Sequence, residues 1–96
     1  MHTKVDALFA KSNISICAAA VADYAPKTPL KQKIKKGSDS FSLELEQTKD
    51  ILSLMCAKKT STQFVVGFAL ETENEIENAM SKLDRKNLDM IVLNSL

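Results

Sequence analysis

Asp23 closes a run of apolar and small residues from Ile14 to Ala22, and Lys27, Lys31, Lys33, Lys35 and Lys36 follow it with no acidic residue before Asp39. One carboxylate and a string of cations beyond the C-terminal end of a buried strand suit a phosphorylated ligand, because open α/β sheets bind ligands there. Lys82 and Lys86, four positions apart, place two further cations on one helix face within reach of a single polyphosphate. Together these groups fit a site for a phosphorylated ligand, whose negative charge local cations attract. On pattern alone, however, a lysine run is equally a solvated charged segment, Asp23 a turn residue or helix cap, and Lys82 and Lys86 surface partners of a helix dipole.

The elements that must position these groups alternate along the chain. Val5, Leu8 and Phe9 have helical spacing and mark the end of a helix. Ile14 to Val21 is continuous enough for a central parallel strand buried on both faces. Residues 23–40 hold both prolines and five lysines, which predicts a long loop acting as a mobile flap at about 24–40. Phe41 to Glu46 alternates with period two, the pattern of a half-exposed strand. A short amphipathic helix is expected from Asp50 to Lys59, capped by Thr48 or Asp50, and then a buried strand from Gln63 to Ala69.

Thr72 and Glu75 have capping-box spacing before a helix over 73–86, with Glu71, Glu73, Glu75 and Glu77 near its start and Lys82, Arg85 and Lys86 near its end. Leu88 to Leu93 supplies a last strand. Strands alternating with helices mean an α/β domain with a mainly parallel sheet.

Composition excludes several classes. With 96 residues, 45% of them hydrophobic and 26% charged, and only two glycines and two prolines, the chain is one globular unit rather than a linker or a disordered segment. A net charge of +1 does not indicate a global nucleic-acid-binding surface. Cys17 and Cys56 lie in apolar segments without metal-ligand spacing, so they read as core thiols in a reducing cytoplasm, and no metal site is expected. No apolar run approaches the ~20 residues of a membrane helix, so no membrane partner is expected. A beginning on half a helix and an end on a bare strand suggest a partial domain.

Four stretches, Cys17-Ala-Ala-Ala-Val-Ala-Asp-Tyr24, Lys33-Ile-Lys-Lys36, Val66-Gly-Phe-Ala-Leu-Glu-Thr72 and Ala79-Met-Ser-Lys-Leu-Asp-Arg-Lys-Asn-Leu-Asp-Met-Ile-Val92, resemble in order and spacing the phosphopantothenate-cysteine ligase family. This is the synthetase domain of the bifunctional coenzyme A biosynthesis flavoprotein. The resemblance implies a Rossmann-like three-layer α/β domain, of which residues 1–96 form a single partial unit lacking the N-terminal half of the sheet.

It also implies a ligase that activates the carboxylate of 4'-phosphopantothenate with CTP, ATP being possible, and with Mg2+. Pyrophosphate leaves, and the cysteine amine then attacks the acyl-nucleotide. The nucleotide positions that carry over are Ala18, Ala19, Asp23, Asp50, Ile51, Phe68, Lys82 and Lys86, and Lys33 falls on the catalytic flap lysine. A cytoplasmic homodimer is implied, with no FMN in this segment.

Thr48-Lys-Asp-Ile51 stands where the family carries Asn-Pro-Asp-Ile, and the family's glycine-bearing first strand and acyl-nucleotide asparagine have no counterpart here. The piece alone is therefore expected not to turn over. The alternative is a non-catalytic α/β nucleotide-binding or interaction module that retains the fold only. A dinucleotide site is disfavoured because no Gly-x-Gly-x-x-Gly occurs.

Overall fold

The structure is a computed structural model that describes residues 1–29, 37 and 40–95. Its elements are α1 (His2–Phe9), β1 (Ile14–Cys17), β2 (Tyr24–Pro26), β3 (Leu45–Gln47), α2 (Ile51–Lys58), β4 (Phe64–Glu71), α3 (Glu75–Arg85) and β5 (Met90–Ser95). β1, β4 and β5 form a parallel sheet in the order β1-β4-β5, and β2 and β3 form a separate antiparallel pair. The α/β class and the mainly parallel sheet expected from the alternating elements are both present.

Both crossovers, β1 to β4 through α2 and β4 to β5 through α3, step the same way across the sheet. Right-handed crossovers in one direction place their helices on one face. The core agrees with that arrangement. Phe9 of α1, Met55 and Cys56 of α2, Val65 of β4 and Leu88 are buried together, and Val5, Cys17, Leu52, Leu83 and Ile91 pack against them. Val65, Gly67 and Ala69, alternate residues of β4, point into this layer and are all buried.

Gly67 is required by the packing. A methyl group there would lie 2.7 Å from Leu88 Cδ1 and 3.4 Å from Leu52 Cδ2. Because Leu88 is itself buried, Gly67→Ala is expected to lower stability by about 1–3 kcal/mol, the usual cost of overpacking. Urea unfolding measures this, and an unchanged midpoint would show that Leu88 moves aside freely.

The other face carries Ile14, Ile16, Phe64, Leu70 and Met90, all exposed, with Ile14 and Ile16 at 64% and 65%. β1 is thus not the central strand, buried on both faces, that its composition predicts. It is an edge of the described sheet with one face covered. Its ladder also ends at Cys17, paired with Gly67, well short of Val21.

Further boundaries differ for local reasons. The predicted loop over 23–40 contains β2, and the predicted strand over 41–46 shifts to Leu45–Gln47, where it pairs with β2 instead of joining the parallel sheet. Residues 30–36, 38 and 39 of the predicted flap lie outside the described residues, among them Lys31, Lys33, Lys35 and Lys36. Asp50, not Thr48, caps α2: its carboxylate accepts hydrogen bonds from Ser53 N at 3.1 Å and Ser53 Oγ at 2.9 Å.

The capping box at Thr72 and Glu75 does not form. Asn74 is the N-cap of α3, in the left-handed conformation that asparagine tolerates, and α3 begins only at Glu75. Asn78 Nδ2 instead ties the entry, donating to Glu73 O at 3.0 Å and Glu71 Oε2 at 3.3 Å. At the other end, Leu88 is buried in the core ahead of β5, which starts two residues later than its apolar run.

Candidate functional site

The candidate site follows from where β1 leaves β4. Alternate residues of a strand address opposite neighbours: Phe64 N donates to Asn13 O on the β1 side, whereas Val65 O accepts from Asp89 N on the β5 side. Phe68 therefore faces the β1 side, but the β1–β4 pairing has already ended at Cys17 and Gly67. Its carbonyl has lost its strand partner, and Lys82 Nζ of α3 donates to it at 2.5 Å.

Beyond Cys17 the chain turns away, and the space between the diverging strands is a cleft of about 890 Å3 at the C-terminal ends of β1 and β4. Ligands of open α/β sheets occupy this position. The segment from Ala18 to Asp23 forms one wall. It is pinned from behind by Thr48, whose amide donates to Asp23 O at 2.8 Å and whose hydroxyl donates to Ala22 O at 2.6 Å.

The cleft brings together residues that lie far apart in sequence. Ala18, Ala19, Asp23, Asp50, Ile51, Phe68, Lys82 and Lys86 all line it. Lys33 lies outside the described residues. The alanines have no side chain beyond Cβ to hold a ligand away from the backbone. Asp23 is exposed, and Phe68 and Ile51 are half-buried. Thr48, read in the sequence only as a candidate helix cap, also lines the cleft, as do Gln47 and Asn94, which were not singled out there. Asn94 showed in the sequence only as the polar residue after the apolar run from Leu88 to Leu93.

The two cleft lysines lie close enough to feel one another's charge. Partial burial pushes the Lys82 ammonium below the usual lysine pKa, and the neighbouring Lys86 charge adds to this, against a smaller opposite pull from Glu71 and Asp50. An incoming anion relieves both penalties. Lys86 Nζ lies 3.0 Å from Asp50 Oδ2, so one of the two cations is partnered by a carboxylate and the other by a backbone carbonyl.

The Asp50 carboxyl lies below the ordinary range. Its partial burial works in the other direction and is outweighed by hydrogen bonds from Ser53 and Lys86. Cys17, which lines the cleft, has its thiol pKa raised by burial and is not an activated nucleophile. Among the described residues no group of three or more His, Cys, Asp or Glu side chains gathers in a way that would hold a metal, and no helix is long and apolar enough to cross a membrane.

Comparison with known proteins agrees with the resemblance. A coenzyme A biosynthesis bifunctional protein CoaBC of Vibrio cholerae is 45% identical over 100% of this chain and 25% of its own length. The protein of the same name from Bacillus subtilis is 44% identical over 100% of this chain and 23% of its own. A protein named cysteine/cysteine sulfinic acid decarboxylase, from an unknown prokaryotic organism, is 54% identical over 92% of this chain and 24% of its own length. The chain therefore spans about a quarter of these relatives.

The crystal structure of the C-terminal domain of a coenzyme A biosynthesis bifunctional protein CoaBC superposes with a TM-score of 0.77 at 37% identity, covering 95% of this chain and 40% of that one. The family model described as the DNA/pantothenate metabolism flavoprotein C-terminal domain matches residues 1–96, and the chain belongs to that family.

Proposed function

We propose that this chain contributes the nucleotide-binding part of a phosphopantothenate-cysteine ligase, and that its cleft receives the triphosphate of CTP, with ATP as the competing nucleotide. The observation that carries the reading is the convergence on one cleft of residues from four parts of the chain: Asp23 after β1, Asp50 at the start of α2, Phe68 on β4, and Lys82 and Lys86 on α3. Each falls on a position that the family resemblance assigns to the nucleotide.

In the reaction, a carboxylate oxygen of 4'-phosphopantothenate attacks the α-phosphorus and pyrophosphate leaves. The cysteine amine then attacks the acyl carbon, and the nucleoside monophosphate departs as the amide forms. Lys82 and Lys86 offer ammonium donors to the phosphate oxygens on which negative charge accumulates. Asp23 accepts hydrogen bonds from a ribose hydroxyl or a base amine, and Phe68 lies beside them. Lys33, which the family resemblance places on the catalytic lysine, is the proposed cation for the reacting phosphate. Magnesium would enter on the phosphate oxygens. The same reading makes the assembly a homodimer in the cytoplasm.

The apolar sheet face that the described residues leave exposed supports the further view that turnover needs the rest of the ligase domain as its second covering layer. The test is pyrophosphate release from CTP, 4'-phosphopantothenate and cysteine, by the chain alone and by a protein joining it to the remaining part of a related domain. The expected result is release only by the joined protein, lost in Lys33→Ala. A joined protein that folds and binds CTP but releases no pyrophosphate would favour the non-catalytic module, and one that binds no nucleotide would overturn the reading.

A further inference from the structure

Asp50 is a nucleotide contact by resemblance, yet its carboxylate is already engaged within the protein. Oδ1 accepts from Ser53 N, and Oδ2 accepts from Ser53 Oγ and lies 3.0 Å from Lys86 Nζ. Among the described residues, the pair with Lys86 is the one ion pair that joins α2 to α3, the two helices whose ends meet at the cleft. Resting on the nucleotide reading, we propose that the Asp50 carboxylate is a positioning group for Lys86 and is not itself a ligand of the nucleotide's phosphates or of its metal ion.

The physical case is one of side-chain freedom and charge. A lysine side chain has a flexible four-carbon stem and loses substantial rotamer freedom when fixed. Lys82, one helical turn away, carries the same charge and repels it. Left alone, Lys86 would swing toward solvent. Its side chain is only 19% exposed, while that of Asp50 is 50% exposed, so the pair holds the lysine in and leaves the carboxylate at the rim.

An ammonium has three donors, so Lys86 can keep one on Asp50 and turn two toward phosphate oxygens. Asp50 is itself fixed by its cap on α2, which makes the anchor rigid. The departure Thr48-Lys-Asp-Ile51 leaves the aspartate in place, and it caps α2 through Ser53 N.

Asparagine caps helices about as well as aspartate, so Asp50→Asn removes the ion pair and spares α2. CTP binding is measured by calorimetry, with and without Mg2+, for the wild type, Asp50→Asn, Lys86→Met and the double variant. Asp50→Asn is expected to weaken binding about 3- to 5-fold, the upper worth of a half-exposed pair. The double variant is expected to bind as Lys86→Met does, because Asp50 acts only through Lys86.

Additive losses would overturn the proposal by making Asp50 a direct ligand. A loss seen only with Mg2+ would overturn it by making Asp50 a metal ligand. Carbon relaxation of the Lys86 side chain without nucleotide separates this inference from the reading it rests on. A rigid Lys86 that is freed in Asp50→Asn supports the anchor even if the wild type binds no triphosphate, an outcome that overturns only the nucleotide reading. Equal mobility in both proteins overturns the anchor whatever the nucleotide does.

Discussion

Lys82→Met is expected to weaken Mg·CTP binding by about 10- to 100-fold, corresponding to the ~1.5–3 kcal/mol of a charge-assisted hydrogen bond. Methionine keeps the apolar stem packed against the sheet and removes only the ammonium, so the loss reports charge rather than a cavity. The effect should exceed that of Asp50→Asn because Lys82 is partly desolvated, and its bond to Phe68 O exchanges readily for a phosphate oxygen.

The sign of the pH dependence follows from the same burial. Burial disfavours the charged form of Lys82 in the free protein, so affinity should fall with rising pH earlier than an ordinary lysine pKa would dictate. In Lys82→Met that fall should disappear. Calorimetry across the alkaline range measures both, and a Lys82→Met protein that binds like the wild type would remove Lys82 from the site.

The second large effect concerns the frame rather than the cleft. Asp89 precedes β5, and its Oδ2 accepts from Val65 N at 2.8 Å and from Lys59 Nζ at 3.0 Å; Lys59 Nζ also donates to Asn87 O at 2.7 Å. Val65 is fully buried, at 0% exposure, and its amide has no alternative acceptor among these contacts. Asp89→Ala is therefore expected to cost about 2–3 kcal/mol, mostly from leaving that amide unsatisfied. This is a large share of the roughly 5–15 kcal/mol that stabilises a domain.

The hydrogen bond from the Val65 amide first, and then that from Lys59, hold the Asp89 carboxyl below the ordinary aspartate pKa. A depressed carboxylate contributes stability above its unfolded pKa and loses it as pH falls through the folded one. Urea unfolding should therefore show a gap between the wild type and Asp89→Asn that is full at neutral pH and closes below about pH 4. A gap independent of pH would mean that the carboxylate charge contributes nothing.

What the sequence made legible was whatever depends on neighbours along the chain. The run from Phe64 to Ala69, the charge gradient along α3 and the cap at Asp50 are local patterns, and they predicted β4, α3 and α2 to within a few residues. What it concealed depends on neighbours in space. Nothing in Cys17-Ala-Ala-Ala-Val21 marks the point where β1 parts from β4, because that point is set by the geometry of the partner strand.

The pairing of Tyr24–Pro26 with Leu45–Gln47 is equally non-local, and the role of Thr48 reaches back 26 positions to Ala22. The capping-box signature misled because an asparagine able to turn left-handed stood one residue before Glu75. The apolar composition of β1 is that of a strand covered on both faces, whereas the described residues cover one.

Asp23 and Lys82 stood out by type and spacing and Phe68 only through the family resemblance, whereas their meeting in space is a property of the fold. The most direct test of the account is backbone amide shift mapping of the chain as Mg·CTP is added. The account predicts shifts concentrated at Ala18 to Asp23, Asp50, Ile51, Phe68, Lys82 and Lys86, with the opposite end around Asn13, Lys58 and Gln63 unmoved. Shifts centred on that opposite end, or none at saturating nucleotide, would contradict it.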